Sequence, residues 1–124
     1  MGKKFKNDVK KSFVDCYYMA HSNISVNEIY EIIKEEYQAE YWEIARVIEV
    51  ELGEKSSIDI EEISMFKGDE DKIFIDKNNV VAIFSIKTDS DNKDKMIKIF
   101  GKVVAKLGGF VCSDTEDFKP FLVK

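Results

Sequence analysis

Apolar residues recur along this chain in two rhythms, and the switches between them set out its elements. Phe5, Val9, Phe13, Cys16, Tyr17 and Ala20 follow helical spacing and predict a first helix ending near His21. A second helix start carries more complete signals. Ser25 with Glu28 makes a capping box, and Ile24 and Ile29 are placed to form the hydrophobic staple around it. Ile29, Ile32, Ile33 and Tyr37 supply its buried stripe, which predicts a helix through about Ala39.

The rhythm then shortens to two. Trp42, Ile44, Ile48, Val50 and Leu52 alternate with Glu43, Glu49 and Glu51, as on a half-buried strand. Tyr37, Tyr41, Ile44, Ile48 and Leu52 also fit a continued helix, and the density of β-branched residues selects the strand. Ile58 and Ile60 open a further strand reaching Phe66, although Asp59 and Glu62 also fit the cap of a helical turn, and residues 67–71 make a turn. Ile73–Ile75 and Val80–Ile86, either side of Asp76-Lys77-Asn78-Asn79, predict a hairpin. Its outgoing run is apolar on both sides and suits a central strand.

A third helix is predicted from Asp91, an N-cap type, with Met96, Ile99, Phe100, Val103 and Leu107 on its inner face and Gly108-Gly109 as its stop. Phe110–Cys112 make a short strand, residues 113–117 turn, and Phe118, Pro120, Phe121 and Leu122 return along an edge or over the core. The predicted order is α-α-β-β-β-β-α-β. It describes an α+β fold with a mainly antiparallel sheet of four to five strands and about three helices, chiefly on one face. Without linkers or repeats, residues 1–124 are expected to form a single domain.

Composition narrows the function classes. The 124 residues are 44% apolar, enough for one core, and 24 acids against 19 bases give a formal net charge of -5. That balance argues against a bulk polyanion binder and suits a basic partner. No apolar run approaches the roughly 20 residues of a membrane span, and the basic N-terminus leads into an amphipathic pattern rather than a signal-peptide core. A cytoplasmic protein with no membrane attachment is expected. Cys16 and Cys112, far apart and outside any CxxC pair, read as two buried thiols rather than a disulfide.

No motif carries recognisable chemistry. His21, the only histidine, lies five residues from Cys16, out of alignment on a helix, and reads as a helix C-terminal residue. Asp89, Asp91 and Asp94 resemble the start of a calcium loop, but Lys93, Asp94 and Phe100 occupy positions that need an oxygen ligand, Gly and Glu. Gly101-Lys102 fails as a phosphate loop. With only three Cys and His residues, scattered, a zinc site is not expected, and no cofactor or catalytic residue is singled out.

Two surface features remain. Lys95, Lys98, Lys102 and Lys106 form a stripe on the third helix, which a solvated face explains without nucleic acid. Acids gather in predicted turns: Asp69, Glu70 and Asp71, then Asp89 with Asp91 and Asp94, then Asp114, Glu116 and Asp117. If the fold brings them together they would steer a basic protein, with Tyr18 and Trp42 as anchors. The leading expectation is therefore a non-enzymatic binding protein, a small acidic inhibitor that blocks a basic toxin or defence effector. Immunity proteins and phage anti-defence inhibitors share that composition, which is a likeness of composition alone. The alternative is a small-molecule or nucleotide-binding domain in which Trp42, tyrosines and lysines meet a planar anion.

Overall fold

The computed structural model describes residues 13–53, 56–63, 69–115 and 117–124. Its elements are β1 (Phe13–Ala20), α1 (Val26–Ile33), β2 (Gln38–Trp42), β3 (Val47–Gly53), β4 (Ser56–Ile63), α2 (Asp69–Lys77), β5 (Ala82–Asp89), α3 (Lys93–Leu107), β6 (Phe110–Ser113) and β7 (Phe121–Val123). All seven strands join one sheet in the order β2-β3-β4-β5-β1-β6-β7, and every neighbouring pair is antiparallel. The fold is α+β as the sequence predicts, but the sheet is larger than the four to five strands expected.

The first departure is β1. Residues 13–20 form a strand between β5 and β6 rather than the end of a helix, and residues 5–12 of the predicted helix lie outside the described residues. Cys16, Tyr18 and Ala20 point to one side and Tyr17 and Met19 to the other, and Cys16, Tyr18, Met19 and Ala20 are all buried. A strand buried on both faces has no period of two, so its apolar run passes equally well for helical spacing.

α1 forms where the capping box places it. The Ser25 backbone N–H donates to Glu28 Oε2 at 2.9 Å, and the Glu28 N–H donates to Ser25 Oγ at 3.4 Å. Ile24 and Ile29 are both buried, as the staple requires. The helix stops at Ile33, short of Ala39, because Gln38–Trp42 is already strand. Residues 40–52 are extended, as β-branching indicated, yet they make two strands joined by a turn at residues 43–46 rather than one.

The second departure is α2, which occupies the predicted turn at 69–71 and the first arm of the predicted hairpin. Asn78 Nδ2 donates to the Phe74 carbonyl at 2.9 Å and Asn79 adopts φ 53°, so the Asn pair ends a helix instead of turning a hairpin. Both structures call for a residue that tolerates positive φ, hence the same signal. β5 is central, as expected.

α3 begins two residues after the predicted Asp91 cap, following a short 3-10 turn at Ser90–Asn92. The buried Asn92 side chain donates to Ser56 Oγ at 2.8 Å and Thr88 Oγ1 at 3.1 Å. Met96, Ile99, Phe100 and Val103 are buried as predicted. Gly108 and Gly109 stop the helix at φ 80° and 88°, and a Cβ at Gly109 would run into the Met19 carbonyl oxygen.

α1 and α3 lie together on one face of the sheet, over Tyr18, Ile48, Val50, Ile58, Ile60, Phe84 and Ile86. Tyr18 stacks on Phe84, and its hydroxyl donates to the Gly108 carbonyl at 2.6 Å. α2 packs on the opposite face, where Ile75 meets Met19, Ile83, Phe110, Cys112 and Phe118. Thus two helices share a face and the third takes the other. Cys16 and Cys112 are free, buried and on opposite faces, and burial pushes both thiols up to about 12. Among the described residues no helix is long and apolar enough to cross a membrane.

Candidate interaction face

Side chains of a strand alternate between faces, so each residue buried under α1 and α3 fixes where its neighbours point. Ala39 and Tyr41, Ile48 and Val50, Ile58 and Ile60, Phe84 and Ile86, and Cys16 and Tyr18 all serve the helix-covered core. Their neighbours therefore line the second face. α2 and the Phe118–Phe121 segment cover one half of it, reaching the Met19 and Ile83 ends of β1 and β5. Among the described residues no element covers the other half.

The strand register sets what this open half displays. Glu40 stands opposite Glu49, Glu49 opposite Asp59, Asp59 opposite Lys87, and Lys87 opposite Asp15. One row across five strands thus holds four carboxylates and a single ammonium, spanning about 19 Å at the usual strand spacing of roughly 4.8 Å. Its flanks carry Glu51 opposite Gln38 and Ser57, and Glu61 opposite Val47 and Ser85. Beyond β1 the row continues in Asp114, whose N–H donates to the Asp15 carbonyl at 3.2 Å. Like charges directly opposite one another destabilise a sheet.

Lys87, opposite both Asp59 and Asp15, offsets part of that repulsion, and the Ser57 hydroxyl donates to Asp59 Oδ1 at 3.3 Å. The ion pairs between described residues, Lys34–Glu31, Arg46–Glu62 and Lys102–Glu36, leave Glu40, Glu49, Glu51, Asp59 and Glu61 out. Among the described residues no three acids, cysteines or histidines converge as metal ligands, so these carboxylates are arrayed rather than gathered on a point. A depression of about 280 Å³ opens where the row crosses β1, lined by Asp15, Tyr17, Glu61, Ser85, Lys87 and Asp114. Partial burial, and then the Asp114 carboxylate against its phenol, push Tyr17 up to about 12. At the β2 edge Trp42, 52% exposed, pairs with Val47, and Ile44 in the adjoining turn is fully exposed.

The residues expected from the sequence fare unequally. Asp114 and Trp42 belong to the open half. Asp69, Glu70 and Asp71 fall in α2, on the covered half, and Glu116 lies outside the described residues. Asp117 is exposed, but its carboxylate accepts from the Thr115 hydroxyl and the Lys119 N–H and orders its own loop. Tyr18 is fully buried in the helix-covered core and is no surface anchor. The turn acids therefore do not converge as a set. The strand acids Glu40, Glu49, Glu51, Asp59, Glu61 and Asp15 were missed, and only the alternation of Glu49 and Glu51 hinted at them.

Other features stand apart. Lys95, Lys98, Lys102 and Lys106 are exposed on α3, on the opposite side of the sheet, and Lys102 pairs with Glu36, holding that carboxyl below its ordinary range. His21 follows a strand, not a helix, and its Nδ1 lies 3.1 Å from the Asn79 carbonyl. A second depression, of about 430 Å³, lies between α2 and the C-terminal segment, lined by Ile73, Phe74, Phe118 and Phe121 together with Lys77 and Lys119. No family model matches this chain, and no curated protein or solved structure matches it either.

Proposed function

We propose that this chain is a non-enzymatic binding protein, a small acidic inhibitor of the immunity-protein or anti-defence kind that occludes a basic macromolecular partner in the cytoplasm. The carrying observation is the carboxylate row from Glu40 through Glu49 and Asp59 to Asp15, set on the uncovered half of a sheet. Such a field raises the rate of encounter with a cationic surface and rejects anionic ones. Trp42 and Ile44 at the rim supply apolar anchors. Two free thiols accord with a reducing compartment.

The small-molecule alternative gains nothing from Trp42, which stands on an edge strand beside acids rather than among lysines. The test is a low-salt pull-down from the native host with the whole chain as bait. A stoichiometric basic partner, released by salt and lost with Glu40→Gln/Glu49→Gln/Asp59→Asn, is expected. Recovery of no such partner, or equal recovery by the neutral variant, overturns the proposal.

A further inference from the structure

We propose a second site on this chain, apart from the acidic face: the depression between α2 and the C-terminal segment takes a small organic carboxylate with an aliphatic or aromatic body. Ile73 and Lys77 stand one helical turn apart on α2, and Phe74 and Asn78 repeat that spacing at its end. Phe118, Lys119 and Phe121 close the depression from the other side. Its volume of about 430 Å³ falls within the roughly 300–1,000 Å³ of small-molecule sites. The Phe74 ring lies 4.5 Å from the Phe118 ring and 6.3 Å from that of Phe121. Phe118 is buried, but Phe74 and Phe121 are only partly so, and Ile73 is 66% exposed. The floor is therefore aromatic surface that meets water, and an apolar body laid on it removes both surfaces from solvent.

The polar groups around that floor set the sign of the ligand. Lys77 and Lys119 line the depression, and Lys124 Nζ lies 5.5 Å from the centre of the Phe121 ring. No ion pair among the described residues engages these three ammoniums. The carboxylate in the lining, Asp117, accepts from the Thr115 hydroxyl and the Lys119 N–H, both at 3.2 Å. Cations thus gather around uncovered rings in a chain whose net charge is -5. A lysine has an apolar stem and a charged tip, so a ligand that meets both is apolar at one end and anionic at the other. Asn78 Nδ2 already donates to the Phe74 carbonyl at 2.9 Å, which leaves charge, rather than a hydrogen-bond pattern, to select the ligand. The wall is also formed in advance: the Phe118 N–H donates to the Thr115 carbonyl at 3.2 Å, and the Lys119 N–H to Thr115 Oγ1 at 3.0 Å. A depression of about 470 Å³ beside β2 and β3 has the contrary lining, Glu40, Glu49 and Glu51 with Gly53 and two serines, and offers neither ring nor cation.

The experiment titrates the full chain with octanoate or phenylacetate and follows backbone amide chemical shifts. Saturable shifts are expected around residues 73–78 and 117–121. Octanol should bind about tenfold more weakly than octanoate, and octylamine more weakly still. Lys77→Gln/Lys119→Gln, at two exposed positions, should weaken octanoate by about tenfold and leave octanol unchanged. Glu40→Gln/Glu49→Gln/Asp59→Asn should leave octanoate binding as it is, which separates this site from the acidic face. Absence of saturable shifts with either acid, or shifts centred elsewhere, overturns the proposal. So does octylamine binding as tightly as octanoate, or a lysine variant that keeps full affinity for the acid or weakens acid and alcohol alike. The inhibitor reading, which rests on the other half of the sheet's second face, stands in each of these cases.

Discussion

β1 and β5 run through both halves of the sheet's second face, and the same two strands are finished in opposite ways. At one end Met19 and Ile83 stand opposite each other, buried under α2 and the aromatic cluster of Phe74, Phe110, Phe118 and Phe121. At the other, Asp15 and Lys87 stand opposite each other in the open, within a row whose remaining members are acids. Burial of Met19 and Ile83 explains itself through area removed from water. The open half has no such explanation, because facing carboxylates cost stability and no element among the described residues covers them. One half holds the fold together, and the other is carried by it.

The contrast is most severely tested by exchanging the chemistries of the two halves. Met19→Glu puts an unpaired carboxylate beneath α2 and should cost roughly 4 kcal/mol or more in urea unfolding. Asp15→Val, on the same strand, should stay within about 0.5 kcal/mol of the wild type. Comparable losses at both positions would erase the distinction between the halves. Gly109→Ala comes next, with a loss of roughly 1–3 kcal/mol from the positive φ alone, to which its collision with the Met19 carbonyl adds. A variant as stable as the wild type would mean that the α3–β6 connection is not fixed as described.

Alkaline titration probes the buried sides of the sheet. Cys16 under the helices and Cys112 under α2 are raised by burial from 9.0 to about 12. Below pH 9 both folded and unfolded thiols are protonated, and these groups give stability no pH dependence. Between about 9 and 12 the unfolded chain releases protons that the folded chain keeps, so stability falls as pH rises, by at most about 1.4 kcal/mol per unit for each thiol. Unfolding midpoints compared at pH 8 and pH 10.5 should show that decline, and Cys16→Ala/Cys112→Ala should remove the larger part of it, leaving the smaller share of the Tyr17 and Tyr18 phenols, which are also raised to about 12. An unchanged slope in the double variant would place the thiols nearer to solvent.

What could be read from the sequence follows from how local each signal is. The α1 capping box, the inner stripe of α3 and the glycines that stop it depend on residues three or four apart, and all three are found where expected. β1 defeated the same reasoning because adjacent Tyr17 and Tyr18 serve two different cores, which leaves neither period visible. In α2 the consecutive Ile73, Phe74 and Ile75 read as strand, yet Ile73 is 66% exposed and Ile75 is buried, a gradient that only a covering helix produces. The acidic row is legible to no local rule. It exists because Glu40, Glu49, Asp59 and Asp15 share a register set by turns and pairings far apart in the chain, and a slip of one residue would turn each acid to the other face.

The most direct measurement is therefore urea unfolding of Glu40→Gln/Glu49→Gln/Asp59→Asn beside the wild type in low salt. Relief of the Glu40–Glu49 and Glu49–Asp59 pairs should raise stability by roughly 0.5–2 kcal/mol, with the gain shrinking as salt screens the repulsion in the wild type. A neutral variant that is less stable than the wild type would show that these carboxylates hold the sheet together, and would contradict the assignment of this face to binding.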